Sequence, residues 1–81
     1  MAKPSPTHAG DQTLVKLGAA IRKTRKKLNL SQEALAIDAG LDRSYMGGIE
    51  RGEHNISVVN CQKIADALGL KLSKLFDASG S

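Results

Sequence analysis

The sequence predicts an all-α domain, a bundle of five helices, and three observations support that class. Apolar residues recur at helical spacing in five successive segments, and a serine, threonine or aspartate suited to capping stands before each segment. No stretch alternates apolar and polar residues for long enough to form a strand. The length of 81 residues suits one small domain.

The first helix is predicted over residues 13–28. Residues 1–12 contain prolines and a glycine without an apolar period, so they are expected to form a flexible N-terminal arm. Asp11 or Thr13 can cap the start of the helix. Its apolar face carries four residues at helical spacing: Leu14, Leu17, Ile21 and Leu28.

The next two helices form a recognisable unit. Ser31 caps a predicted helix over residues 32–39, Asp42 caps another over residues 43–51, and Gly40 between them suits a left-handed turn. Two short helices joined in this way make a helix-turn-helix, whose second helix enters the major groove of DNA. The packing of the pair needs small or apolar residues at fixed offsets, which are present at Ala36, Met46 and Ile49.

The C-terminal part completes the bundle. Ser57 caps a predicted fourth helix over residues 58–68, and Ser73 starts a last turn or short helix over residues 74–77. The last four residues, 78–81, are small and polar, so they are expected to be a disordered tail.

Charge is distributed unevenly along the chain. The net charge is +4, but residues 1–30 hold seven basic and one acidic side chain (+6), whereas residues 31–81 hold five and seven (−2). Such asymmetry points to nucleic acid or to an anionic membrane surface. The membrane reading is disfavoured, because the apolar face of the first helix is needed in the core.

Several other classes are disfavoured by what the sequence lacks. Its longest apolar run, residues 34–37, is far shorter than the ~20 residues of a membrane span. Without an apolar secretory segment and with one cysteine, Cys61, a reducing cytosol is expected. His8, His54 and Cys61 do not stand at zinc-ligand spacing. We therefore expect no metal, cofactor, small-molecule ligand or enzymatic activity.

Over about residues 14–76, the sequence resembles the helix-turn-helix domain of Xre/Cro/C1 regulators. The residues that carry the resemblance are Ser31-Gln32-Glu33-Ala34-Leu35-Ala36, Gly40, Ile49-Glu50-Arg51-Gly52, Ile21-Arg22 with Arg25, and Ile64-Ala65 with Ala67-Leu68-Gly69. Residues 40–52, followed by Asn55-Ile56-Ser57, are similar to controller proteins of restriction–modification systems, stand-alone regulators that bind as homodimers. The resemblance implies a lambda repressor-like five-helix fold, operator DNA as ligand and no catalysis.

The start of the third helix is the candidate base-reading element. Arg43 can form a bidentate contact with guanine, and Ser44 lies beside it. The resemblance implies the same role for Arg43. Gly47 and Gly48 each cost a helix about 1 kcal/mol relative to alanine. Close approach to DNA would explain that cost and makes Gly47 a further candidate, the alternative being relaxed selection on an exposed face.

Candidate phosphate contacts cluster at helix N-termini, where free N–H groups and the helix dipole attract anions. Gln32 opens the second helix, and the resemblance implies a backbone-phosphate contact for it. Asn55 and Ser57 lead into the fourth helix, with Arg51 nearby. Tyr45 has two open readings, a hydroxyl contact to sugar–phosphate or a ring packed against the domain.

Two further sets are structural. The resemblance implies a partly buried ion pair between Arg25 and Glu50. A homodimer is expected because regulators of this kind bind two half-sites about 34 Å apart, which requires a self-complementary patch. Its candidate interface is the apolar surface in excess of the core's needs: Val58, Val59, Leu70, Leu72, Leu75 and Phe76.

These features together predict a sequence-specific, DNA-binding transcriptional regulator of the controller type. It would bind a palindromic operator as a homodimer, with residues 13–77 as the DNA-binding and dimerisation domain. Its location would be the cytoplasm of a bacterial or phage-infected cell, at the nucleoid when bound to DNA. The alternatives are the antitoxin or autorepressor of a toxin–antitoxin pair and a phage-type repressor; few spare residues remain to hold a toxin.

Overall fold

The computed structural model describes residues 10–80, and within that range it contains five helices and no strand. The predicted all-α, five-helix class is therefore confirmed. Residues 1–9 of the expected arm, and residue 81, lie outside the described residues. The helices are α1 (Gln12–Lys27), α2 (Gln32–Ala39), α3 (Arg43–Glu50), α4 (Val58–Ala67) and α5 (Leu72–Ser79).

Side-chain caps start the first four helices. The Asp11 carboxylate accepts a hydrogen bond from the Thr13 N–H at 2.9 Å, so Asp11 is the cap and α1 begins one residue earlier than predicted. Ser31, Asp42 and Ser57 cap the next three helices in the same way, as the sequence predicted. These local hydrogen bonds satisfy N–H groups that a helix leaves without partners at its start.

One apolar core joins the five helices. α1 packs against α3 and α5, α2 packs against α3 and α4, and α4 packs against α5. Every helix contributes one of the largest fully buried side chains, which are Ile21, Leu35, Met46, Ile64 and Leu75.

A mid-helix glycine sets the distance between α1 and α3. A Cβ atom on Gly18 would overlap the backbone carbonyl oxygens of Ile49 and Glu50. Because backbone atoms cannot rotate away as a side chain can, this crossing requires glycine. It brings the end of α3 against α1, and so brings Glu50 within reach of Arg25.

The structure corrects the last helix and one core assignment. α5 begins at Leu72 rather than after Ser73, and it continues through Ser79, so residues 78 and 79 belong to its last turn rather than to a tail. The spacing of Leu72, Leu75, Phe76 and Ser79 explains the longer helix, because these residues share one packed face. Leu28, assigned to the apolar face of α1, is the C-cap and is 48% exposed.

Candidate nucleic-acid interface

The helix-turn-helix is formed by α2, α3 and the turn between them. Gly40 adopts the left-handed conformation (φ +69°), and the Leu41 N–H donates to the Ala36 carbonyl at 2.8 Å, which closes the turn. Ala36 is buried where the two helices meet, and Met46 and Ile49 anchor α3 in the core. The apolar side of α3 is therefore held inside, and its N-terminal end is left at the surface.

Arg43 and Ser44 lie exposed at that end of α3. The Asp42 carboxylate accepts hydrogen bonds from the N–H groups of Ser44 and Tyr45 at 2.9 and 3.3 Å, so it serves as the cap. Neither the Arg43 nor the Ser44 side chain makes a hydrogen bond or ion pair with the rest of residues 10–80. Both side chains are available to an external partner.

A buried polar network joins α1, α2 and α3 behind this surface. The Arg25 guanidinium donates to both Glu50 carboxylate oxygens at 2.7 and 3.0 Å, and to the Leu30 carbonyl at 2.9 Å. Gln32 Nε2 donates to Glu50 Oε1 at 3.1 Å. Hydrogen bonding to Glu50 raises the pKa of Arg25, although burial acts in the opposite direction. The network fixes the start of α2 relative to the end of α3.

A recess of about 240 Å³ opens beside this network. Gly47, one turn along α3 from Arg43 and Ser44, forms part of its wall and is itself buried. A Cβ atom on Gly47 would lie 3.2 Å from both Gln32 Oε1 and Arg51 Nη1. Six residues line the recess: Arg22, Arg25, Gln32, Gly47, Glu50 and Arg51.

Arg51 has an acidic neighbour that the sequence analysis did not single out. Its guanidinium donates to the two Glu53 carboxylate oxygens at 2.7 and 3.2 Å, and both side chains are largely exposed. These hydrogen bonds lower the pKa of Glu53 and raise the pKa of Arg51. A phosphate that binds Arg51 must therefore compete with Glu53. The signal in the sequence was the short spacing of opposite charges across the glycine that ends α3.

The Tyr45 ring takes the packed position, one of the two readings that the sequence left open, and the sugar–phosphate contact stays a prediction. Its ring lies half-buried against the core and packs on the His54 ring, with centroids 5.0 Å apart. Its hydroxyl accepts a hydrogen bond from Asn60 Nδ2 at 3.3 Å. A Cβ atom on Gly48 would overlap the His54 imidazole. The packing of that ring within the protein therefore explains a glycine at this position of the helix.

The loop into α4 carries the last two candidate phosphate residues. Asn55 and Ser57 are both exposed, and Ser57 Oγ accepts the Asn60 N–H at 3.1 Å as the cap of α4. Asn60 thus ties the start of α4 to Tyr45 on α3. Through this contact, the loop is held beside the helix-turn-helix.

The candidate dimer residues divide by burial. Val58 and Val59 are each 66% exposed, and Leu70, Leu72 and Phe76 are partly buried against the core. Leu75 is fully buried within the single chain, so its assignment to an interface is corrected: it is a core residue with no surface to offer. Helical spacing alone does not distinguish Leu75 from Leu72 and Phe76, because all three lie on the apolar side of α5.

Residues 10–80 were also compared with what a reactive thiol, a metal site and a membrane-spanning helix would need. Burial raises the pKa of the Cys61 thiol, which lies in the core. Among residues 10–80, no group of three histidine, cysteine, aspartate or glutamate side chains could hold a metal ion. None of the helices described is long and apolar enough to cross a membrane.

Comparisons with known proteins agree with this geometry. The family described as helix-turn-helix matches residues 21–75. The chain is 46% identical over 63 residues to control protein C.MunI of Mycoplasma sp, covering 76% of this chain and 85% of that one. It is 44% identical over 61 residues to control protein C.BamHI of Bacillus amyloliquefaciens, covering 74% and 75%.

A solved structure extends the likeness to three dimensions. The restriction–modification controller protein C.AhdI from Aeromonas hydrophila has a TM-score of 0.75 and 52% identity, over 76% of this chain and 94% of that one. Sequence and fold therefore agree: the chain belongs to the Xre/Cro/C1-type helix-turn-helix family of DNA-binding transcription regulators and is controller-like.

Proposed function

We propose that this controller-like regulator reads a palindromic operator as a homodimer. The observation that carries the proposal is the exposed start of α3, where the side chains of Arg43 and Ser44 have no partner among residues 10–80 and stand on a helix anchored in the core. A base-reading side chain needs that combination of access and fixed position. Its DNA ligand would place the protein in the cytoplasm of a bacterial or phage-infected cell, at the nucleoid.

In this proposal Arg43 reads guanine through its two-pronged guanidinium, and Ser44 reads the neighbouring base. Gly47 was a third base-reading candidate. Its place in the wall of the recess, beside Gln32 and Arg51, favours a role in admitting the DNA backbone. Readout would then rest on few side chains, with a contribution from the deformability of the DNA.

Phosphate contacts are proposed on both sides of α3. Gln32 and Arg51 lie by the recess, while Tyr45, Asn55 and Ser57 lie around the loop into α4. Gln32 Nε2 carries two N–H groups. One donates a hydrogen bond to Glu50, so the second can donate to a phosphate oxygen. The free N–H groups at the starts of α2 and α4 favour anions at the same places.

The dimer is proposed to form through the start of α4, the segment that leads into α5, and α5 itself. Two adjacent valines with two-thirds of their surface exposed support this choice, because they leave apolar area in contact with water. The interface residues are Val58, Val59, Leu70, Leu72 and Phe76.

Selection of bound duplexes from a random pool tests the operator. We expect an enriched palindrome whose half-sites lie about one helical turn apart. Arg43→Ala should relax the preference at one base pair in each half-site by about 1–3 kcal/mol, whereas Gln32→Ala should weaken all duplexes alike. Binding without any sequence preference would overturn the proposal.

Sedimentation at micromolar concentration tests the dimer. Phe76→Ala and Val59→Ala should shift the mass towards that of a monomer. Ile37→Ala provides a matched control. Ile37 is 70% exposed on α2, so this substitution removes a similar apolar side chain from a surface outside the proposed interface. If Val59→Ala and Ile37→Ala leave the same dimer fraction, the proposed interface is wrong.

A further inference from the structure

The recess between α1, α2 and α3 has an excess of positive charge. Arg25 and Glu50 neutralise each other through their paired hydrogen bonds. Arg22 and Arg51 are the other charged residues of the lining; because Arg51 is paired with Glu53, the net charge at this recess of about 240 Å³ is +1 with Glu53 counted and +2 when Arg51 is released from it. A small apolar or neutral ligand would leave that charge uncompensated.

Arg22 and Arg51 differ in the residues that they contact. The Arg51 side chain is held by Glu53, whereas the Arg22 side chain makes no hydrogen bond or ion pair with any other residue in the 10–80 range. Arg22 belongs to a dense basic cluster on α1, where most charges are expected to face solvent. Arg22 and its neighbour Lys23 are both exposed, but only Arg22 lines the recess.

The size and the charged lining of the recess suit a phosphate group. Its volume of about 240 Å³ is far above the ~10–15 Å³ that admits one water molecule, which leaves room for a phosphate group. Gly47 keeps the wall open, because a side chain there would approach Gln32 and Arg51 at once. The forked guanidinium groups of arginine match phosphate oxygens in geometry as well as charge.

We propose that the recess is a clamp for a single phosphate of the DNA backbone, with Arg22 and Arg51 as its two cationic ligands and Glu53 as an internal competitor. Gln32 donates its second amide N–H to the same phosphate. The clamp rests on the proposed function for its ligand. It adds Arg22 to the interface, and it gives Glu53 the role of holding Arg51 at the recess until phosphate replaces it.

The first test measures DNA affinity against salt for Arg22→Gln, with Lys23→Gln as the matched control. Each phosphate contact contributes about 0.9 to the slope of log K against log salt, so the two clamps of a homodimer account for about 1.8, and Arg22→Gln should lose up to that amount because Arg51 remains at each phosphate. Arg22→Gln should weaken selected and unrelated duplexes equally. Lys23→Gln, which removes the same charge one residue along, should change the slope by much less.

The second test needs no DNA. Titration of the protein with inorganic phosphate, followed by amide NMR shifts, should move Gln32 and Gly47 in the wild-type protein but not in Arg22→Gln. Glu53→Gln should bind both phosphate and DNA about two- to fivefold more tightly, the range set by an exposed ion pair. Circular dichroism of each variant separates loss of binding from loss of fold.

The outcomes distinguish the clamp from the proposed function. If the protein binds no duplex but inorganic phosphate still shifts the amides at the recess, the anion site is supported and the proposed DNA-binding function is contradicted. If the operator binds well, yet Arg22→Gln and Lys23→Gln have equal salt slopes and phosphate moves no amide at the recess, the clamp is refuted. Should Arg22→Gln unfold, Arg22→Lys keeps the charge without the fork and must still weaken binding.

Discussion

Removal of Arg25 should be among the most damaging single changes to this fold. In Arg25→Met, the Glu50 carboxylate stays where it is, with a side chain only 3% exposed. It loses two hydrogen bonds from Arg25 and keeps one from Gln32. Its charge is then buried without a counter-ion, and such a loss costs about 3–5 kcal/mol.

That loss is large compared with the whole stability of the domain. At about 0.05–0.15 kcal/mol per residue, 81 residues give a free energy of unfolding of about 4–12 kcal/mol. Arg25→Met should therefore remove about a quarter or more of it. Urea unfolding followed by circular dichroism measures the change, at one fixed protein concentration because dimerisation would add to stability.

Two controls separate the buried charge from the loss of a long side chain. Lys26→Met changes an exposed neighbour on α1 and should stay within about 0.5 kcal/mol of the wild type. Arg25→Met combined with Glu50→Met replaces both charges with apolar groups and should recover most of the stability. The reasoning is refuted if Arg25→Met costs under about 1 kcal/mol, or if the double variant loses the sum of both single losses.

Three further predictions concern separate features. Gly18→Ala should lower the free energy of unfolding by about 1–3 kcal/mol despite its gain in helix propensity, because its Cβ meets backbone atoms. Gly47→Ala should not lower it, because its Cβ meets only flexible side-chain ends. Urea unfolding compares the two variants. Buried Cys61 should react with a thiol reagent only as fast as the domain opens. An NMR titration should find the Glu53 carboxyl midpoint below the usual value of about 4.3, and Arg51→Gln should restore it; the ion pair is therefore intact at neutral pH and is lost as pH falls through that lowered pKa.

Local chemistry was enough to predict the helices and the position of Arg43 and Ser44 at the start of α3. Ser31, Asp42 and Ser57 each cap a helix through a hydrogen bond two or three residues away, so their effect can be read from a short window of sequence. Gly40 marks the turn for the same reason. The position of Arg43 at the start of α3 follows from Asp42 alone.

Contacts between helices could not be predicted in this way. Helical spacing tells which residues share a face, but it does not tell how deeply a face is covered by another helix. Leu75 and Phe76 are adjacent on α5, yet the first is fully buried and the second only partly. The close approach of Gly18 on α1 to the backbone of α3 likewise depends on an element distant in sequence. The packing of the His54 ring against Gly48 depends on the fold of the loop that follows α3.

The sequence by itself determined an all-α regulator with a helix-turn-helix, because caps, turn glycines and apolar spacing act within a few residues. Only the tertiary structure decided that Arg22, Gln32 and Arg51, from three different helices or their ends, line a common recess. Helix crossing sets that meeting point: Gly18 lets α3 lie against α1, and the Arg25–Glu50 pair holds the two together.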